Sequence, residues 1–239
     1  MTRPATTWIG WLPADEVARL RLIVGDNWVA KATDQLGHRK RLCLPTGRTP
    51  GPFYDRLAAD SLRETTVFLL DEFGLPVGHP ARCDSMIKRS LLDRVPAQGF
   101  ERPMTEAEDL DGECERYHQL VSAQPLDLAI LGLGRNGHLG LNEPGSTIDS
   151  KTRRVDLAPE TIEGAKTYGA DPPATWGVTL GLAEILGARE IWLLVSGRAK
   201  SEVLTAALSG PISSGLPASF LQTHDELTVF ADEAAGSLL

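Results

Sequence analysis

His138 and Glu143 stand in a glycine-dense segment, Asp127 to Gly145, that reads DLAILGLGRNGHLGLNEPG, with Asn136 two positions before the histidine. A carboxylate set on one imidazole nitrogen fixes the tautomer and stabilises the imidazolium, which suits a general acid/base near neutral pH. As a metal centre, His138 and Glu143 lack a third nearby ligand, so no metal is expected. A second acidic centre follows the apolar run TTVFLLDE, where Asp71 and Glu72 are adjacent. Successive residues leaving a strand point to opposite sides, so at most one of the two faces a site, and the other is free for a helix cap or ion pair. Asp71, nearer the strand, is the candidate base, because partial desolvation raises a carboxyl pKa toward the working range.

Two further turns suit an anion. In PTGRTP (Pro45 to Pro50), Gly47 permits a tight turn, Thr46 and Thr49 bring hydroxyls, Arg48 brings charge, and a following helix would direct N–H groups at a phosphate. The same letters also describe an ordinary strand-to-helix turn with a Thr cap. SGRAK is a second glycine turn before a helix, with Lys200 positioned to add a point charge to the same anion. Glu72, Gly134, Gly137 and Asn142 complete the candidate substrate contacts read from the residues.

Gly132, Gly134 and Gly137 match G-x-G-x-x-G, the dinucleotide spacing, but the context argues against a dinucleotide. The motif lies far from the first strand-helix unit, Pro144-Gly145 end the segment where a helix should continue, and His138 and Glu143 occupy positions where an apolar helix face is wanted. The glycines are better read as room for a loop to wrap closely around a small polar ligand while presenting His138.

These residues need a frame. Apolar strand-like runs at RLCLP, TTVFLL, LDLAIL, EIWLLVS and ELTVFAD alternate with helix-like segments near TPGPFYDRLAAD, DSMIKRSLLDRV (Asp84 as N-cap) and AEDLDGECERYHQLVS, and after GRAK. Continuous apolar strands separated by helices indicate an α/β fold with a three-layer, doubly wound, mostly parallel and Rossmann-like sheet. In such a sheet ligands bind outside the carboxyl ends of the strands, where all four polar segments fall. Val17, Leu20, Val24, Trp28, Ala32 and Leu36 recur at helical spacing, which predicts one long helix ending near Gly37. TWGVTLGLAEILG predicts another. Residues 146–175, rich in Thr, Asp, Gly and Pro, are expected to form a lid or insertion on a single domain.

Composition narrows the partners. The 239 residues carry a net charge of -8 without a clustered basic run, so nucleic acid is not expected. Three cysteines without a C-x-x-C pair suggest reduced thiols. The start lacks a signal-peptide pattern and no apolar run reaches a membrane span, which predicts a cytoplasmic protein without membrane contact. Homo-oligomerisation is left open.

LPTGRTP, LLDEFGLP, DLAILGLGRNGHLGLNEPGS, TRRVDLAPETI, GVTLGLAEILGAREIWLLVSGRAK and PASFLQTH, in order from about residue 15 to 233, resemble the glucosamine-6-phosphate deaminase/isomerase family, particularly its galactosamine-6-phosphate isomerase members. The related 6-phosphogluconolactonases share the fold and a similar loop but typically continue with a Ser-Leu-Phe-Pro type segment, so LNEPG favours the amino sugar branch. The resemblance implies a small-molecule sugar phosphate as ligand and a reaction without cofactor. It implies Asp71 as the base moving a proton between C2 and C1, and His138 as the group assisting ring opening. Glu143 would orient and charge-tune His138, and Thr46 to Thr49 with Lys200 would hold the 6-phosphate. Lys166 would correspond to a family arginine that reaches the phosphate from the lid. Well-studied deaminases often carry Asp where this chain has Asn136, which keeps the hydrogen bond but adds no negative charge. A lactonase, or a sugar-phosphate-sensing module like those of some repressors, is the alternative; the chain has no basic helix-turn-helix segment for the latter.

Overall fold

The computed structural model describes residues 19–239. Their elements run β1 (Arg19–Val24), α1 (Trp28–Gln35), β2 (Arg41–Leu44), α2 (Gly51–Arg56), β3 (Thr66–Leu69), β4 (Asp71–Phe73), α3 (Cys83–Ile87), β5 (Gly99–Glu101) and α4 (Leu110–Ser122). They continue with β6 (Leu128–Gly132), β7 (Arg153–Asp156), α5 (Pro159–Lys166), β8 (Trp176–Thr179), α6 (Leu182–Leu186), β9 (Ile191–Val195), α7 (Ser201–Ser209) and β10 (Glu226–Ala231).

Seven strands pair in parallel in the order β1-β10-β9-β6-β2-β3-β5. Alternation along them feeds two apolar layers. Leu42, Leu44, Val67, Leu69, Leu128, Ile130, Trp192 and Leu194 pack with Trp28 and Ala32 of α1, Phe53 and Tyr54 of α2 and Ile87 of α3. Cys43, Phe68, Ala129, Leu131, Leu193 and Val195 pack with Tyr117 and Val121 of α4, Ile185 of α6 and Leu204 and Ala207 of α7. The expected three-layer, doubly wound α/β fold is therefore the observed one. The chain leaves β2 toward β3 and β6 toward β9, in opposite directions across the sheet. Their carboxyl ends consequently flank the crevice where such sheets bind ligands.

Three elements differ from the sequence expectation. Residues 19–24 form edge strand β1, not the first half of a long helix; RLRLIV satisfies a period of two as well as a helical one, and pairing with β10 decides it. The part of that expected helix before residue 19 lies outside the described residues. Trp176–Thr179 is likewise a strand, because Gly177 and the β-branched Val178 and Thr179 fit antiparallel pairing with β4. β4, β8 and β7 form a separate three-stranded sheet that the sequence pattern did not reveal. Asp84 also does not cap α3: it sits inside the first turn, and its side chain takes a hydrogen bond from Arg82 at 3.1 Å.

Candidate active site

The small sheet positions Asp71. β3 ends at Leu69, and the chain crosses into β4 with Asp71 opposite Thr179 of β8. The Thr179 hydroxyl accepts the backbone N–H of Leu141 at 3.2 Å, so one strand registers Asp71 against the histidine loop. Asp71 is 8% exposed, and Cys83 Sγ donates to its Oδ1 at 3.3 Å. Burial pushes its carboxyl up to about 6, against the pull of the Cys83 bond and of His138. A carboxyl so placed is mostly ionised at neutral pH yet basic enough to take a proton.

The histidine is held through an intermediary. Its Nδ1 is 2.8 Å from Asn136 Oδ1 and 3.4 Å from Glu143 Oε2, while Asn136 Nδ2 donates to Glu143 Oε2 at 2.9 Å. An ionised carboxylate only accepts, so it turns the Asn136 amide to present its oxygen to His138, whose backbone N–H it also takes at 3.2 Å. Nδ1 must then carry the proton, and the lone pair of the neutral ring sits on Nε2. Burial alone would raise Glu143; hydrogen bonds from His138, Thr161 and Asn136 outweigh it and hold the carboxyl at about 2. Glu143 is thus a fixed negative charge behind a neutral relay.

The glycine spacing has a steric cause here. A Cβ on Gly134 would stand 2.4 Å from Cγ and Nδ1 of His138, so the ring lies flat against bare backbone. Gly134→Ala is expected to displace the imidazole and lower kcat by about 10²-fold, the scale of one positioned acid/base group, while circular dichroism shows the fold retained.

Asp71 and His138 line one cleft of about 860 Å³ together with Thr46, Gly47, Arg48, Thr49, Gly134, Arg135, Asn136, Tyr168 and Lys200. The cleft also carries three cations, Arg48, Arg135 and Lys200. Lys200 Nζ donates to the Leu133 carbonyl at 2.6 Å, and burial, then the nearby Arg135 charge, lower its pKa to about 8. Among the described residues no acidic side chain pairs with Arg48 or Arg135, which leaves three cations available to an anion. The hydroxyls of Thr46 and Thr49 meet Cys83 Sγ at 3.4 Å and Ser196 Oγ at 3.1 Å.

Four expected substrate contacts are placed elsewhere. Glu72 is fully buried and accepts the N–H groups of Cys83 and Asp84 at 2.8 Å each, capping α3 from another strand beside Arg82 at 3.6 Å. Asn142, also fully buried, donates to the carbonyls of Leu139 and Leu180 at 2.9 and 2.8 Å and accepts from Arg153 at 2.9 Å, which pins the loop. Gly137 turns the chain at φ 83°, packed against Leu216. Lys166 is exposed and paired with Glu163. In its place α5 presents Thr161, whose hydroxyl is 3.3 Å from His138 Nδ1. Residues 146–175 therefore carry β7 of the small sheet and a helix bordering the cleft. Arg135, Tyr168, Thr161 and Cys83 are absent from the sequence-derived set. Arg135 had a signal, a cation inside the glycine motif; the others depend on packing.

Comparison with known proteins shows the family and agrees with the fold. The family model described as glucosamine-6-phosphate isomerases/6-phosphogluconolactonase matches residues 18–230. A glucosamine-6-phosphate deaminase of Streptococcus equi subsp. zooepidemicus is 39% identical over 203 residues, 83% of this chain and 87% of that protein. One from Lactobacillus delbrueckii subsp. bulgaricus is 36% identical over 216 residues, 88% of this chain and 92% of its own. Among solved structures, a monomeric glucosamine-6-phosphate deaminase superposes with TM-score 0.82 at 30% identity, covering 91% of this chain and 99% of that one. The Thermotoga maritima 6-phosphogluconolactonase gives 0.71 at 25%, covering 90% and 99%. Fold and cleft thus define an α/β protein of the sugar phosphate isomerase and lactonase type. The chain belongs to the glucosamine-6-phosphate isomerase/6-phosphogluconolactonase family.

Proposed function

We propose that the protein is an amino sugar phosphate deaminase, converting a hexosamine 6-phosphate to a ketose 6-phosphate and ammonia in the cytoplasm. The observation that carries the reading is the placement of a desolvated carboxylate, Asp71, and a relay-held histidine, His138, in one cleft that also carries Lys200, Arg48 and Arg135. The 6-phosphate would lie against Lys200, Arg48 and Arg135. His138, its lone pair on Nε2, takes the anomeric hydroxyl proton and passes it to the ring oxygen as the C1–O5 bond breaks and the pyranose opens to the aldehyde. The carbonyl acidifies the C2 proton, which Asp71 removes to give a cis-enolamine. Protonation at C1 moves the double bond to C2 as an imine, and water hydrolyses it to the ketone and ammonia. The carbonyl serves as electron sink, so this sequence of steps calls on no metal or organic cofactor.

Incubation with glucosamine or galactosamine 6-phosphate should release ammonia, and no release from either by folded protein would sink the proposal. Accelerated hydrolysis of 6-phosphogluconolactone in its place would assign the lactonase reaction. The pH dependence follows from Asp71. Below about 6 its carboxyl is protonated and accepts nothing, so kcat/KM should fall about tenfold per pH unit on the acid side and level off above. A profile without an acid limb between pH 5 and 7, roughly one unit either side of that midpoint, would remove Asp71 from the role of base.

A further inference from the structure

Cys83 is fully buried, has no place in the steps above, and touches both the base and Thr46, a residue of the cleft wall. Its thiol donates to Asp71 Oδ1 at 3.3 Å and accepts from the Thr46 hydroxyl at 3.4 Å. Its backbone N–H is fixed by Glu72 at 2.8 Å, so the sulfur sits on an anchored first turn of α3. Burial and the two neighbouring carboxylates push the thiol pKa well up, so the sulfur keeps its proton and remains a donor. From this geometry we infer that Cys83 is a positioning residue for the reaction proposed above. It holds one carboxylate oxygen of Asp71 and leaves Oδ2 as the oxygen that takes the substrate proton.

Thr46, by directing its hydroxyl to the sulfur, ties the cleft-lining turn Thr46 to Thr49 to the orientation of the base. The polarisation runs Thr46 to Cys83 to Asp71, each donor strengthening the next. Other ionisable groups facing Asp71 are Cys43 of β2, Tyr54 of α2, Tyr168 after α5 and His138 of the glycine loop. Cys43 and Tyr54 are buried with strongly raised pKa values and stay neutral, so the ionised carboxylate depends for its local support on Cys83 and His138.

The test compares Cys83→Ala, Cys83→Val and Cys83→Ser. Asp71 is titrated directly by carboxyl ¹³C NMR, its resonance assigned by its absence in Asp71→Asn, and kcat/KM is followed against pH in parallel. Loss of a hydrogen bond to the charged form should move the Asp71 midpoint upward by on the order of half a unit in the Ala and Val variants. Their kcat/KM below pH 6 should fall about threefold, the change that half a unit implies. Ser keeps a donor and should return both readouts to wild type; Val preserves the buried volume if Ala perturbs folding. An unmoved Asp71 midpoint in Ala and Val, or a Ser variant that behaves as they do, would overturn the inference. The titration does not depend on turnover, so it is distinct from a failure of the wild type to release ammonia, which would count against the proposed reaction alone.

Discussion

Asp71→Asn is expected to lower kcat by about 10⁴-fold, the upper end for removal of a positioned general base, and to abolish exchange of the substrate C2 proton with solvent. Asn preserves the shape of the side chain but cannot take the proton. The cleft cations Lys200, Arg48 and Arg135 are untouched, so a reduced, open-chain amino sugar 6-phosphate should bind within a few-fold of wild type. NMR of the C2 proton in D₂O reads the first outcome and calorimetry the second. Equal loss of exchange and of binding would make Asp71 a structural residue. The paired outcome matters because Asp71 is buried and on a strand, where many acids serve only to hold the fold.

The largest expected effect on stability lies behind the site. The Arg82 side chain is fully buried and donates to Asp84 at 3.1 Å, the Leu75 carbonyl at 2.7 Å, Thr105 at 3.1 Å and Glu106 at 3.1 Å, with Glu72 at 3.6 Å. Burial drives the Glu72 carboxyl up to about 7, and Arg82 is the first of the opposing influences. Arg82→Met would leave buried Glu72 without a contacting cation and Asp84 and Glu106 with Arg102 alone, and breaking a buried ion pair from one side costs about 3–5 kcal/mol. For a chain of this length that corresponds to a melting temperature lower by roughly 10 °C, measurable by thermal unfolding. The effect should reach catalysis too, since Glu72 holds the first turn of α3, which carries Cys83 and through it Asp71. A variant with unchanged melting temperature would show that the network is compensated elsewhere.

The sheet was legible in the sequence because its buried strands are continuous apolar runs, and Leu128–Gly132 and Ile191–Val195 have few other readings. Asp71, His138, Asn136, Glu143 and Lys200 were legible as site candidates because they are polar groups at strand ends, where the fold class puts its ligands. What failed was local and has physical reasons. RLRLIV satisfies two periods at once, and the sheet edge chose between them. The small antiparallel sheet is built from segments of three or four residues, below the length at which a pattern can show. Glu72 and Asn142 look like functional polar residues by type and spacing, yet Glu72 accepts from backbone N–H groups and Asn142 holds two backbone carbonyls and the Arg153 side chain. That distinction exists only in three dimensions. Asn136 shows the same limit from the other side: its place in the motif was plain, but its position between His138 and Glu143 was not.

That relay and the buried base make one chemical claim, that the C2–H bond of a hexosamine 6-phosphate is broken on the way to ammonia. Glucosamine and galactosamine 6-phosphate, each labelled with deuterium at C2, test it most directly, with ammonia assayed and the sugar product read by NMR. The expected result is ammonia and a ketose 6-phosphate in equal amounts, the deuterium gone from C2. A product that retains deuterium on C2, or folded protein that releases no ammonia, would contradict it.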